Sequence, residues 1–252
     1  MKYKNLVLIG ILQLCIIPPL FGQLSKVLNA VDFDVHYNSG LFLKSEVTQV
    51  VGYGYSGALD FPLGNSFEMS LAAGYFKNTV NQDSAVKNWG WDFWEEFYSI
   101  RVENFQETYD VSQSTSQELL LYPVTLSVVF QPKWNENVQP YIEGGLGVVA
   151  FKRSLWLDET WGKEYQLASG EKYYYDYNFD TYAVPKEGRL FVADVGTGVN
   201  IFFWEKFATR MNIRYVSYPD LSGMLGDNYS VHYDRFPARS SLMFSLGIKI
   251  SY

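Results

Sequence analysis

Cysteine is nearly absent from the sequence, since Cys15 is the only one among 252 residues. A chain with one cysteine can form neither an internal disulfide nor a cysteine-based metal cluster. Basic residues are also outnumbered: 20 lysines and arginines stand against 27 acids, for a formal net charge of -7. Nucleic acid binding requires a basic surface, so we expect no nucleic acid partner. We also expect no cofactor, because no cofactor or metal-ligand motif is present.

Long apolar runs are missing after residue 22, where no segment approaches the ~20 residues of a membrane-spanning helix. Residues 1–22 themselves have the features of a signal peptide: two lysines, an apolar core over 6–21 and a cleavage point after Gly22. Pro18 and Pro19 argue against a retained helical anchor, because proline breaks a helix. We therefore expect a mature domain of residues 23–252, and any membrane crossing by this domain must use strands.

The clearest pattern in the sequence is the alternation over residues 239–252. Large apolar side chains alternate there with small or polar ones, and the apolar set is Phe244, Leu246, Ile248, Ile250 and Tyr252. This period of two predicts a β-strand whose two faces meet different media. The same pattern recurs in seven earlier segments, which are 31–38, 48–61, 67–75, 120–130, 141–151, 193–203 and 207–215.

The connections between these eight predicted strands mostly alternate between short and long. The short ones are residues 62–66, 132–139 and 204–206, and the long ones are 77–118, 152–188 and 218–238. An up-and-down barrel gives this rhythm, because every second connection lies on the same rim. The sequence therefore predicts an all-β, eight-stranded antiparallel barrel with long loops at one end.

Aromatic residues beside the short connections predict a belt at one membrane interface. This set is Phe61, Phe67, Trp134, Tyr141, Trp204, Phe207 and Tyr252. The competing interpretation is a soluble ligand-binding barrel of the lipocalin type, with the apolar face turned inward. The membrane interpretation is favoured because the second face is rich in glycine, serine and alanine, as a narrow interior requires.

Charged residues on this second face are few and of both signs, and we expect them to pair inside the barrel as a plug. They are Asp60, Glu68, Glu143, Asp194, Arg210, Arg214 and Lys249, with Arg239 as a further candidate. Buried charges are costly unless paired, so a structural role in packing is the expectation. A gated ion path is the functional alternative.

The chain resembles the small outer-membrane β-barrel proteins of Gram-negative bacteria, the OmpA- and OmpX-type group. The resemblance rests on the signal peptide, on Tyr141-Ile142-Glu143-Gly144-Gly145-Leu146-Gly147 and on the terminal strand. It implies residence in outer-membrane lipid and insertion by the barrel-assembly machinery, which would recognise Phe244 to Tyr252. The Gly22-Gln23 cleavage point is similar to signal peptides of Bacteroidota.

Catalysis is not expected. A hydrolytic site needs a base beside a nucleophile, and the sequence holds two histidines, His36 and His232, neither in a recognisable catalytic motif.

The aromatic side chains of the long loops are the candidates for function. They are Trp89, Trp91, Trp94, Trp156, Trp161, Tyr173, Tyr174, Tyr175 and Tyr177. These rings either pack against one another or form a recognition surface for a partner protein or a surface glycan. The alternative function is that of an accessory subunit of an outer-membrane secretion or transport complex, docked through the apolar belt.

Overall fold

The structure is a computed structural model that describes residues 31–45, 51–79, 89, 108–132, 134–135, 137–183 and 185–251. The predicted signal peptide of residues 1–22 lies outside these residues, as do Trp91, Trp94 and Tyr252. The role of those residues stays a prediction.

The described residues form nine strands and two short helices. The strands are β1 (Asp32–Ser45), β2 (Val51–Pro62), β3 (Phe67–Thr79), β4 (Asp110–Phe130), β5 (Val138–Gln166), β6 (Lys172–Tyr182), β7 (Lys186–Trp204), β8 (Phe207–Ser217) and β9 (Ala238–Ile250). The helices are α1 (Ser222–Leu225) and α2 (Asp227–Arg235). Neither helix in this part of the chain has the length and hydropathy of a membrane span.

Eight of the strands close into an antiparallel barrel, which confirms the predicted fold. Each strand pairs with its neighbour in the ring β1-β2-β3-β4-β5-β7-β8-β9, and β9 returns to β1. Phe33 of β1, for example, lies opposite Leu59 of β2 on one side and Ile250 of β9 on the other. Closure leaves no unpaired strand edge within the ring, as a barrel in lipid requires.

The alternation of faces follows the sequence pattern. On β4, Val124, Leu126 and Val128 are exposed, whereas Thr125 and Ser127 between them are buried. On β9, Phe244, Leu246 and Ile248 point outward in the same way. The large apolar face is therefore the outer one, and the soluble ligand-binding barrel is excluded because its apolar face would line the interior.

The predicted aromatic belt is confirmed in part. Phe67, Trp134, Trp204 and Phe207 are exposed beside the short turns. Tyr141 is an error of the prediction, since only 2% of it is exposed. It occupies an odd-numbered position of β5, as does the buried Glu143, so its ring must enter the barrel.

The structure differs most from the sequence prediction above the rim that carries the long connections. β4 begins at Asp110 inside the predicted loop 77–118, and β5, which is 29 residues long, ends at Gln166 inside the predicted loop 152–188. Within that loop β6 turns back and pairs with β5 from Trp156↔Tyr182 to Gln166↔Lys172. We call residues 110–118, 154–166 and 172–182 the projecting sheet.

The sequence pattern does not reveal this sheet, because the sheet does not contact lipid. Residues 112–117 are serine, glutamine and threonine on both faces, and β6 carries aromatic residues on both faces. Neither pattern contrasts an apolar face with a polar one. β5 has 29 residues, whereas a membrane strand needs only about 9–11. At about 3.3 Å per residue, β5 spans about 95 Å.

Candidate functional site

The barrel interior holds a buried charge network centred on Arg210. Its guanidinium pairs with the carboxylates of Asp34 and Asp60, with Nη1 2.8 Å from Oδ2 of Asp60. Nη2 lies 3.6 Å from Oε2 of Glu143. Nε donates to the Tyr141 hydroxyl at 2.8 Å, and the guanidinium carbon lies 4.4 Å from the centre of the Tyr141 ring. One arginine therefore joins β1, β2, β5 and β8 across the lumen.

Lys249 extends the network towards the rim of the short turns. Its Nζ lies 2.8 Å from Glu68, 3.1 Å from Asp60 and 3.1 Å from Asp32. Arg214 adds an ion pair of 3.3 Å between its Nε and Oε1 of Glu143. The structure therefore brings together six of the seven predicted interior residues.

The seventh residue, Asp194, is buried but forms no ion pair among the described residues. It lines a cavity beside Arg214, and its Oδ1 has no hydrogen-bond partner there. Sequence reasoning also missed Asp34, a central partner of Arg210, although its position on the inward face of β1 was the available signal. Arg239 does not reach the interior acids; it donates to the Tyr233 and Phe236 carbonyls at the opposite rim.

The upper lumen, towards the projecting sheet, is apolar and packed. Phe236 is fully buried, with ring centroids 4.7 Å from Tyr218 and 5.0 Å from Phe151. Helix α2 contributes Tyr229 to the same cluster. A cavity of ≈ 60 Å³ lies between this cluster and the charge network. Charges below this cavity and apolar side chains above it therefore occupy the lumen.

The two histidines lie apart and in different settings. His36 is buried, with Nε2 3.7 Å from Asp34 Oδ2. His232 lies on α2, and its Nδ1 accepts a 3.4 Å hydrogen bond from the Arg189 amide. Among the residues described, no group of three or more His, Cys, Asp or Glu side chains is arranged to hold a metal ion.

The projecting sheet divides the predicted aromatic residues between two faces. The face that continues the barrel interior carries Tyr165, Tyr173, Tyr175 and Tyr177. Tyr165 stacks on Tyr173 with centroids 5.3 Å apart, and its hydroxyl lies 2.7 Å from that of Tyr177. Tyr175 lies edge-on to Tyr177 at 4.8 Å.

The opposite face of the sheet carries Trp156, Tyr174 and Tyr182. Trp156 contacts Tyr182 at a centroid distance of 5.3 Å. The Tyr174 hydroxyl donates to Asp110 Oδ2 at 3.0 Å. Desolvation, with the Asp110 hydrogen bond and charge, raises the pKa of this phenol. The rings thus keep exposed surface while being held in place by their neighbours.

Two of the predicted recognition tryptophans are not available at the surface. Trp89 is 3% exposed, and its ring lies 5.0 Å from the Arg153 guanidinium and 5.2 Å from Lys186 Nζ. Lys186 also donates to the Trp89 carbonyl. Trp161 is 9% exposed and packs against Tyr109. Both rings support the sheet, so among the described residues the exposed candidates are Trp156 and the tyrosines of β6.

The closed ring and its apolar exterior define the class of the protein. The chain is an eight-stranded transmembrane β-barrel of the outer-membrane type, and such barrels reside in outer membranes. No family model matches the chain, and no curated protein matches it.

Similar solved structures come from several bacteria. Neisserial surface protein A is 13% identical over 88% of this chain and 96% of its own, with a TM-score of 0.43. Ail, the attachment invasion locus protein of Yersinia pestis, is 11% identical over 89% and 99%, with a TM-score of 0.43. A major outer membrane protein of Thermus thermophilus is 12% identical over 88% and 100%, with a TM-score of 0.45. At these values the likeness concerns the general fold alone.

Proposed function

We propose that the chain is a non-enzymatic recognition protein of the outer membrane. The barrel serves as the anchor, and the projecting sheet binds a partner protein or a surface glycan. The observation that carries the proposal is β6, all of whose side chains from Lys172 to Asp180 are exposed. They include Tyr173, Tyr174, Tyr175 and Tyr177, four of the residues selected from the sequence.

The chemistry of β6 suits recognition. Tyrosine has few rotatable bonds, so it offers a large contact area at a low cost in conformational entropy. Stacking of Tyr165 on Tyr173 and the hydroxyl contact between Tyr165 and Tyr177 restrict these rings further. A surface held in place before binding loses less entropy when a partner arrives.

The interior supports an anchoring role for the barrel. Charges that span the lumen are paired with one another, and pairing of this kind fixes packing without providing a path for ions. The outward side chains Phe244, Leu246 and Ile248 of β9 meet the lipid. We propose that they also serve, with Ile250 and Tyr252, as the signal for the barrel-assembly machinery.

The alternative is an accessory subunit that docks onto another outer-membrane protein through its lipid-facing belt. The two functions place the partner on different surfaces. Tyr175 lies on the projecting sheet, whereas Leu146 lies on the outer face of the barrel, with 69% of its surface exposed.

Site-specific photo-crosslinking in the native cell tests the proposal. A benzophenone amino acid replaces Tyr175 in one variant and Leu146 in the matched control, and both variants must retain the gel-mobility shift of a folded barrel. Recognition through the sheet predicts protein or glycan adducts at Tyr175 and none at Leu146. Adducts confined to Leu146 would support the accessory subunit, and an absence of adducts at Tyr175 would overturn the proposal.

A further inference from the structure

The outer edge of β6 indicates how the projecting sheet could bind a partner. In the described part of the chain β6 pairs with β5 alone, so β6 is an edge strand of the projecting sheet. Edge strands present unpaired amide and carbonyl groups on which an extended chain can add a further strand.

The register shows which residues carry these groups. Two backbone hydrogen bonds flank the β5–β6 ladder, Leu167 N to Glu171 O at 2.8 Å and Ala183 N to Leu155 O at 3.0 Å. In an antiparallel pair, hydrogen-bonded and non-hydrogen-bonded pairs alternate. The odd-numbered residues of β6 therefore bond to β5, and the even-numbered residues direct their backbone groups to the free edge. The central ones are Tyr174, Asp176, Asn178 and Asp180.

Acidic side chains accompany this free backbone. Asp176 and Asp180 are exposed on one face, and Asp180 lies directly opposite Asp158 of β5. Like charges in this position repel and destabilise a strand pair. Lys172, at the opposite end of the same face of β6, is already paired with Glu164 at 2.7 Å. A basic side chain from an added strand would relieve the repulsion between the two aspartates.

The other face of β6 carries the odd-numbered residues and is aromatic. Tyr175, Tyr177 and Phe179 are exposed there and point away from the aspartates. Successive residues of an added strand would meet the two faces in turn. One set of its side chains would face Asp176 and Asp180, and the other set would face the aromatic rings.

We propose that β6 binds a protein partner by strand addition, and that the bound segment is extended and alternates basic with apolar residues. This inference rests on the proposed recognition function and specifies its mode. Charge favours such a partner over a second copy of this chain, because two β6 edges would bring Asp176 and Asp180 near the same residues of the other copy.

The test uses the full chain in lipid nanodiscs and a synthetic nine-residue peptide of alternating lysine and valine. Asn178→Pro removes an amide from the free edge without affecting the backbone hydrogen bonds to β5, and proline is tolerated at such edge positions. Asn178→Ala is the matched control, because both variants lose the 2.9 Å hydrogen bond from Thr160 Oγ1. We expect the peptide dissociation constant to rise at least about tenfold in Asn178→Pro and to change less than about twofold in Asn178→Ala.

A second variant leaves the backbone unchanged, so it remains informative if Asn178→Pro disturbs the sheet. The Asp158→Asn, Asp180→Asn double variant should weaken binding by about three- to tenfold, since exposed ion pairs contribute modestly. A peptide of the same composition with its lysines and valines in two blocks should bind weakly. The indole resonance of Trp161 reports whether the sheet is still folded in each variant.

Equal binding of the alternating and block peptides would overturn strand addition and show simple charge attraction. Concentration-dependent dimers of the wild type that Asn178→Pro abolishes would instead indicate a second copy as the occupant. Crosslinks at Tyr175 without any peptide binding would overturn strand addition but would still support the proposed recognition function.

Discussion

Arg210 and Asp60 lie 150 positions apart in the chain, yet their side chains meet inside the barrel with 2.8 Å between Nη1 and Oδ2. Both residues are almost fully buried. The pair connects β8 to β2 across the lumen, so barrel closure and charge pairing depend on each other.

Replacement of Arg210 by methionine should therefore be strongly destabilising. The change keeps most of the side-chain volume but leaves Asp34 and Asp60 without their arginine, at a cost of about 3–5 kcal/mol. Urea unfolding in lipid vesicles measures this loss. Lys206→Met, at an exposed turn, is the charge-matched control and should change little. Addition of Asp34→Asn and Asp60→Asn should restore part of the stability, and no recovery would contradict a charge-based explanation.

Phe236 should be equally important at the other end of the lumen. Phe236→Ala removes a fully buried ring from its contacts with Phe151 and Tyr218. The resulting cavity should cost about 3–5 kcal/mol in the same unfolding assay. Phe203→Ala is the control, because Phe203 is 62% exposed and its loss should cost about 1 kcal/mol or less. Similar losses in both variants would argue against a packed upper lumen.

The wild-type barrel should not conduct ions. The network around Arg210 and the apolar cluster around Phe236 lie in series along the lumen, so Arg210→Met alone should also remain closed. Single-channel recording in planar bilayers, with a known porin as positive control, tests this expectation. Stable current steps from the wild type would support the gated ion path instead.

A charged substitution on the outer surface of the protein should be destabilising only where that surface contacts lipid. Leu126 lies between the outward residues Leu71 and Leu146 of the neighbouring strands. Leu126→Arg should destabilise the barrel in vesicles by about 2–4 kcal/mol. Leu167→Arg, at the exposed turn between β5 and β6, should change the free energy of unfolding by less than about 0.5 kcal/mol. Equal tolerance of the two arginines would contradict lipid contact at Leu126.

The projecting sheet should become less stable as pH rises, because of Glu159. Burial raises the pKa of this carboxyl above its ordinary value of 4.5. The folded sheet therefore holds the proton more tightly than the unfolded chain does. The stabilisation is fully present below pH 4.5 and is lost as pH rises through the raised pKa.

Protease cleavage of the sheet in vesicle-embedded protein measures this effect, with faster cleavage expected at pH 7.5 than at pH 4.5. Glu159→Gln should flatten the pH dependence, because the neutral amide has no charged form to desolvate. Glu164→Gln is the control, since the Glu164 carboxylate is exposed and paired with Lys172. A wild type whose cleavage rate does not change with pH would contradict the prediction.

The sequence alone determined the barrel and its outer face. Alternation such as Leu126 against Thr125 is local, since neighbouring side chains of a strand point to opposite faces whatever the strand pairs with. The contrast between lipid outside and a polar, filled interior imposes the pattern on every barrel strand. Fold class and the sides of Glu143 and Lys249 could therefore be predicted residue by residue.

Only the tertiary structure decided which charges meet and what the long connections contain. Register across eight strands places Arg210 beside Asp34 and Asp60 rather than beside Asp194, and no local pattern records that register. Above the membrane the projecting sheet has no lipid face, so nothing imposes an alternation of apolar and polar residues on β6. Its strand character, its free edge and the burial of Trp89 and Trp161 follow from contacts between distant segments.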